Sequence, residues 1–312
     1  MNNNNNNNSS NNSNRPHSEE YFGEYRDHWW NSDYIELLAK RWNIQNVKTV
    51  LDVGCGVGHW GRVLLPVLPP NATIHGIDME PLHIEKARSI AEQYSASHRL
   101  TYSVAQAQSL PFPNESFDMV TCQTVLIHVS DILATIQEME RVLKPGGLLV
   151  IAEPNNAANN LVEDSLSFDL PLPKKLARIE LALTCENGKS ALGEGNNSIG
   201  DLIPGLLVQA GISNIRVFLN DKTAPLFPPY NTPEQRANVE QMIEWNATGF
   251  LGFDKQVAKR YFLAGGGCND RFEHLWENEH KIAFERSCAG IRNNTLHSAG
   301  GCVFYVISAR KE

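Results

Sequence analysis

Short apolar-rich runs alternate along this chain with longer stretches in which apolar residues return every third or fourth position. The short runs cover 47–53, 72–77, 100–104, 117–122, 148–152, 215–219 and 302–308. Each is short enough for a strand, and a predominantly apolar run such as 148–152 suits a strand buried on both faces. The periodic stretches predict helices. One follows Asn31 or Ser32 as cap, with Ile35, Leu38, Ala39 and Trp42 on one stripe. Others start at His59, at Pro81 with Ala87, Ile90, Ala91 and Tyr94, and at Asp131 with Ile132, Ile136, Met139 and Leu143. Further helices are expected at 174–183, 198–210, 233–247, 254–263 and 270–290, with a Gly/Asn-rich break after 184. Strands alternating with helices over about 110 residues imply a parallel sheet covered on both faces.

The pattern also divides the chain. The Asn-rich stretch 1–17 has nothing to bury and is expected to be a disordered tail. Residues 18–46 form an aromatic-rich lid or docking helix containing Tyr21, Tyr25, Trp29 and Trp30. A core spans 47–220 and 301–312, and 221–300 is inserted as a mainly helical cap between the last two strands. The tail carries neither a basic nor an apolar signal segment.

Composition narrows the function. The net charge is −8 with no Lys/Arg run, which disfavours nucleic acid and anionic membrane surfaces. The six cysteines are scattered without a C-x-x-C pair, so reduced thiols in a cytoplasmic protein are expected, with no metal site. The oligomeric state is not legible.

The chemistry concentrates in "VLDVGCGVGHWG", residues 50–61. Read literally, Gly56, Gly58 and Gly61 spell the dinucleotide pattern G-x-G-x-x-G. That frame begins two residues after the strand ends. Counted from Gly54, the third glycine falls on His59. Asp52, inside the strand end, suits a ligand with an ammonium better than a pyrophosphate.

In this frame "LDVGCGVG" resembles the first motif of class I S-adenosylmethionine-dependent methyltransferases. "IHGIDMEP", "AQAQSLPFPNESFDMV", "TCQTVLIHV" and "RVLKPGGLLVIAEP" resemble the family's later segments in order and spacing. The resemblance covers 47–154, and more weakly 200–219. It implies an α/β, Rossmann-like seven-stranded sheet, mostly parallel with an antiparallel last strand, and S-adenosyl-L-methionine as cofactor. Residue by residue, it implies that Asp52 holds the methionine ammonium and that Gly54, Cys55, Gly56 and Gly58 give backbone contacts. Asp78 accepts from the ribose hydroxyls, Met79 packs on adenine, Gln106 and Ala107 face its edge, and Gln123 lines the methionine moiety. The family usually has Asp where Gln106 stands.

Methyl transfer to an acceptor demands positioning and exclusion of water more than a fixed catalytic group. No catalytic residue is therefore assigned. His128 after the fourth strand and Glu153 at the end of the fifth are the candidates. "GEGNNSIGD", 193–201, is a further candidate for the acceptor pocket, whereas "FPPYN", 227–231, lies too far from the fourth strand to be the amino-methyltransferase motif it resembles. The long insertion favours an enclosed small-molecule acceptor. A protein or peptide acceptor, a silent cofactor-binding module and a nicotinamide enzyme are the alternatives.

Overall fold

A computed structural model describes residues 24–251 and 254–312; the Asn-rich stretch and Tyr21 lie outside the described residues. Seven strands form one sheet: β1 (Thr49–Val53), β2 (Thr73–Asp78), β3 (Leu100–Val104), β4 (Phe117–Gln123), β5 (Leu143–Asn155), β6 (Ser213–Leu219) and β7 (Val303–Arg310). Their order is β3-β2-β1-β4-β5-β7-β6. The first five run parallel, while β7 runs antiparallel to both β5 and β6. This is the mostly parallel sheet that the alternation of runs and stripes predicts.

The helices are α1 (Ser32–Trp42), α2 (His59–Leu64), α3 (Pro81–Gln93), α4 (Ile132–Val142), α5 (Asn156–Asn159), α6 (Leu172–Ala191), α7 (Ile203–Gln209), α8 (Pro233–Thr248), α9 (Lys255–Ala264), α10 (Asn269–Leu275) and α11 (Lys281–Arg292). A π-helical turn, Trp276–His280, joins the last two. Successive strand residues face opposite sides. Val50 therefore packs with α1, α2 and α3 through Leu38, Leu64 and Ile84. Leu51 faces the other way, toward α4 and α7 through Ile136, Met139 and Ile203.

The predicted cap stripes become α8, α9, α10 and α11, but the structure adds α6 to them. Helix α6 continues to Ala191, through the Gly/Asn-rich stretch expected to break it. Its Ala177 and Leu181 share a cluster with Ala258, Phe262, Phe272 and Trp276. Gly188 explains the extension, because a Cβ there would lie 1.6 Å from the Tyr261 carbonyl oxygen. The glycine serves a close crossing of α6 and α9 rather than a turn. The stretch 227–231 belongs to a second small cluster, where the Tyr230 hydroxyl donates to the Leu296 carbonyl (2.8 Å).

Parallel strands leave their carboxyl ends on one edge, and β1 and β4 lead their following helices to opposite faces. That divergence opens a crevice beyond β1 and β4. Residues of α6, α8, α9 and the π-helical turn line the side of the crevice away from the sheet.

Candidate active site

The crevice and the helices opposite the sheet, its roof, enclose one continuous cavity of about 1050 Å³. Its floor is the edge where β1, β2 and β4 end. Asp52, Gly54, Cys55, Gly56, Asp78, Met79, Ala107, Gln123 and His128 all line it. Residues far apart in sequence converge because the loops after three parallel strands emerge side by side.

The loop after β1 is held from two directions. Cys55 N–H donates to the Ile77 carbonyl of β2 (2.8 Å), and Gly56 N–H donates to Asp78 Oδ2 (2.9 Å). At Gly54, φ is +65° and a Cβ would fall 2.5 Å from Val125. Only glycine lets this loop turn there and still touch the loop after β4.

Asp78 is the most heavily supported side chain of the floor. Its Oδ1 accepts from the Glu80 N–H (2.9 Å) and pairs with His83 Nδ1 (3.2 Å). Burial alone would raise its pKa, but these hydrogen bonds outweigh burial and hold it below the usual carboxylate value. It is an ionised acceptor at the cavity's edge. Met79 beside it is 70% exposed, an apolar side chain open to a flat partner.

Asp52 and Gln123 pose the opposite case. Both are buried; the Gly61 N–H approaches Asp52 and His59 approaches Gln123, but neither contact is a well-formed hydrogen bond and both groups keep unfilled capacity toward the cavity. An unsatisfied buried polar group costs about 1–3 kcal/mol. Such a pair pointing at a cavity is built for a polar ligand. Burial raises the Asp52 carboxyl from 3.8 to about 7. Folding therefore takes up a proton between these values. Asp52's contribution to stability is full below the unfolded value and lost as pH climbs through about 7. Asp52→Asn is accordingly expected to gain on the order of 2 kcal/mol relative to the parent chain between about pH 5 and about pH 8. Denaturant unfolding at the two pH values measures the difference, and a constant difference would refute the buried, titrating carboxylate.

Three predicted site residues lie elsewhere. Gly58 caps α2 and packs against Tyr102, whose hydroxyl would meet a Cβ there at 2.4 Å. It shapes the loop without lining the cavity. Gln106 is exposed in a tight turn bridging to Ser109, so the neighbours Ala105, Ala107 and Gln108 face the cavity in its place. Glu153 is fully buried and turned away from the cavity. Its Oε1 accepts from the Val125 and Leu126 N–H groups (2.8 and 2.7 Å), so it anchors the loop after β4 rather than touching a ligand. Burial raises its pKa to about 7.

His128 lines the cavity beside a buried cation. Lys189 Nζ on α6 donates to the Ile127 carbonyl (2.8 Å) and to Asn197 Oδ1, and lies 3.4 Å from His128 Nδ1. Burial lowers the Lys189 pKa to about 8, which leaves it charged near neutrality. An ammonium facing Nδ1 makes that nitrogen the acceptor and puts the ring proton on Nε2. Within 193–201, only Asn197 reaches the cavity.

Sequence reasoning missed Arg26, whose Nη2 donates to Thr124 Oγ1 (3.1 Å) where β4 ends. Its one signal was its place among Tyr25, Trp29 and Trp30, all of which line the cavity. It placed α6 at 174–183 but did not foresee its part in lining the cavity. No group of three or more His, Cys, Asp or Glu placed to hold a metal ion occurs among the described residues, and no described helix is long and apolar enough to cross a membrane.

Comparison with known proteins returns a methyltransferase-domain model matching residues 44–190. The chain is 34% identical over 127 residues to a demethylmenaquinone methyltransferase of Geobacillus stearothermophilus, covering 40% of this chain and 51% of that protein. It is 34% identical over 116 residues to a sterol 24-C-methyltransferase of Aspergillus fumigatus, covering 37% and 30%. The match thus spans about half the length of the first and less of the second. A solved structure from Galdieria sulphuraria, provisionally assigned as a sarcosine dimethylglycine methyltransferase, superposes with a TM-score of 0.51 at 18% identity, over 90% of this chain and 85% of that one. At that identity the likeness concerns the fold alone.

Proposed function

We propose that this chain is a class I S-adenosylmethionine-dependent methyltransferase, in line with the methyltransferase-domain match over residues 44–190, and that it transfers a methyl group from S-adenosyl-L-methionine to a small-molecule acceptor held under α6, α8 and α9. One observation carries this reading: a single cavity runs from the glycine loop and the buried, incompletely satisfied Asp52 and Gln123 to the helices opposite the sheet. Relatives named for demethylmenaquinone and for sterols support a small-molecule acceptor.

The residues fit the cofactor. Asp52 would hold its ammonium and Gln123 its amino-acid end, and Arg26 would face the carboxylate. Asp78 would take the ribose hydroxyls, and Met79 with Ala107 would flank adenine. When bound, the cofactor supplies a methyl group already activated as a sulfonium. The chain's own work is to position and dry the site. Gly54 and Gly56 keep the loop low enough for the acceptor to approach in line. Trp29 and Trp30 close one side of the cavity. His128 lines the cavity where the acceptor would lie and is held there beside Lys189. Ionised Asp52 binds an ammonium and protonated Asp52 does not, so cofactor affinity rises with pH through about 7.

Incubation of the chain with methyl-labelled cofactor and fractionated cell extract is expected to place label in a small molecule. Label only in protein would favour a peptide acceptor, and failure to bind S-adenosylhomocysteine in calorimetry would overturn the reading altogether.

A further inference from the structure

The roof carries a feature that methyl transfer by itself does not require. Arg178, Leu181, Ala182, Cys185 and Glu186 recur at helical spacing, so one face of α6 walls the cavity. The carboxyl end of that face reaches the floor, where Lys189 holds the Ile127 carbonyl beside His128. Arg178 lies toward the other end, roughly 16 Å away along the helix axis. Leu181, Ala182 and Cys185 line the way between, with Tyr261, Trp276 and Leu251 contributed by the rest of the roof.

The guanidinium of Arg178 is half-buried, faces the cavity, and has no hydrogen-bond or ion-pair partner among the described residues. The carboxylates around it are engaged elsewhere. Glu279 pairs with Lys174 (2.6 Å), Glu163 with Lys175 (2.6 Å), and Glu186 accepts from Ser198 Oγ (2.7 Å). His280 is neutral, its pKa lowered by burial, and its Nε2 meets the Leu251 carbonyl (3.1 Å). Arg178 lies within electrostatic range of Glu163 but forms no ion pair or hydrogen bond with it, so its donors stand open at the far end of an apolar passage. A planar fork of donors suits a carboxylate, sulfate or phosphate monoester.

Resting on the methyltransferase reading, we propose that the acceptor is an elongated amphiphile. Its reacting end lies at the floor beside His128, its apolar body lies along α6, and an anionic group at the opposite end is bound by Arg178. That anion selects the substrate and takes no part in the transfer.

The test uses the full chain saturated with S-adenosylhomocysteine, with tryptophan fluorescence reporting through Trp245 and Trp276. Dodecanoate, dodecyl phosphate and dodecyl alcohol serve as probes. Either anion is expected to bind more tightly than the alcohol, and the tighter of the two identifies the preferred head group. Arg178→Gln should weaken the anions roughly tenfold or more and change the alcohol less than about twofold. Arg178→Lys should keep part of the preference. An unchanged anion affinity in Arg178→Gln, an equal loss for the alcohol, or no anion preference in the parent chain would overturn the proposal. S-adenosylhomocysteine affinity is read separately in the same variants. Its retention shows the fold intact, and its absence in the parent chain would count against the methyltransferase reading while leaving the anion preference measurable.

Discussion

Asp78→Ala is expected to weaken S-adenosylhomocysteine binding by roughly one to two orders of magnitude in calorimetry. A charge-assisted hydrogen bond to the ribose hydroxyls is worth about 1.5–3 kcal/mol, and tenfold corresponds to about 1.4 kcal/mol. The structure adds a second reason. A carboxylate has about four acceptor positions. Gly56 N–H, Glu80 N–H and His83 already approach three of Asp78's. The variant therefore loses the ligand contacts and also frees two backbone donors, one of them in the glycine loop itself. A fall in stability of about 1–2 kcal/mol should accompany the loss of affinity. Asp78→Asn keeps the size but meets the Gly56 and Glu80 donors with a mixed donor–acceptor head, and it should fall between the two. A change of less than about fivefold for Asp78→Ala would remove this residue from the binding site.

Gly188→Ala should destabilise the chain by about 3 kcal/mol or more, read as a lower midpoint in urea. Alanine normally favours a helix over glycine by up to about 1 kcal/mol, so propensity alone predicts the opposite sign. The crossing decides. A Cβ at Gly188 would lie 1.6 Å from the Tyr261 oxygen, and one at Gly265 would lie 2.0 Å from the Thr184 oxygen. Both obstacles are backbone, which moves only if α6 and α9 separate. Gly205 in α7 is the internal control: a Cβ there meets nothing within 4 Å, so Gly205→Ala should be neutral or slightly stabilising. Equal effects at the two positions would deny the close crossing.

Much of the floor was legible before any coordinates. The Asp52, Gly54, Gly56 frame, the carboxylate ending the second strand and the amide ending the fourth lie at fixed offsets from apolar runs. A parallel sheet turns such offsets into a shared edge. Glu153 misled for a related reason. Its position at the end of β5 was read correctly, but its side chain turns inward to the Val125 and Leu126 amides, and offsets carry no information about that choice. Gln106 was displaced because a tight turn rotated its neighbours into the cavity in its place.

The roof was legible only in outline. Its helices appear as stripes, yet α6 read as a shorter helix because glycine and asparagine are usual breakers, and only the crossing with α9 shows what Gly188 does there. Arg26 and Arg178 carry no local mark at all.

Sequence by itself determined the order of strands and helices, the register of the glycine loop and the carboxylates that frame it. These follow from periodicity and spacing, which are properties of neighbouring residues. Tertiary structure alone decided which groups share the cavity with them: Arg26 from the amino-terminal segment, the Lys189–His128 contact, and the unpaired charge of Arg178. Those depend on where distant backbones cross, which is set by close packing between elements rather than by any pattern within one of them.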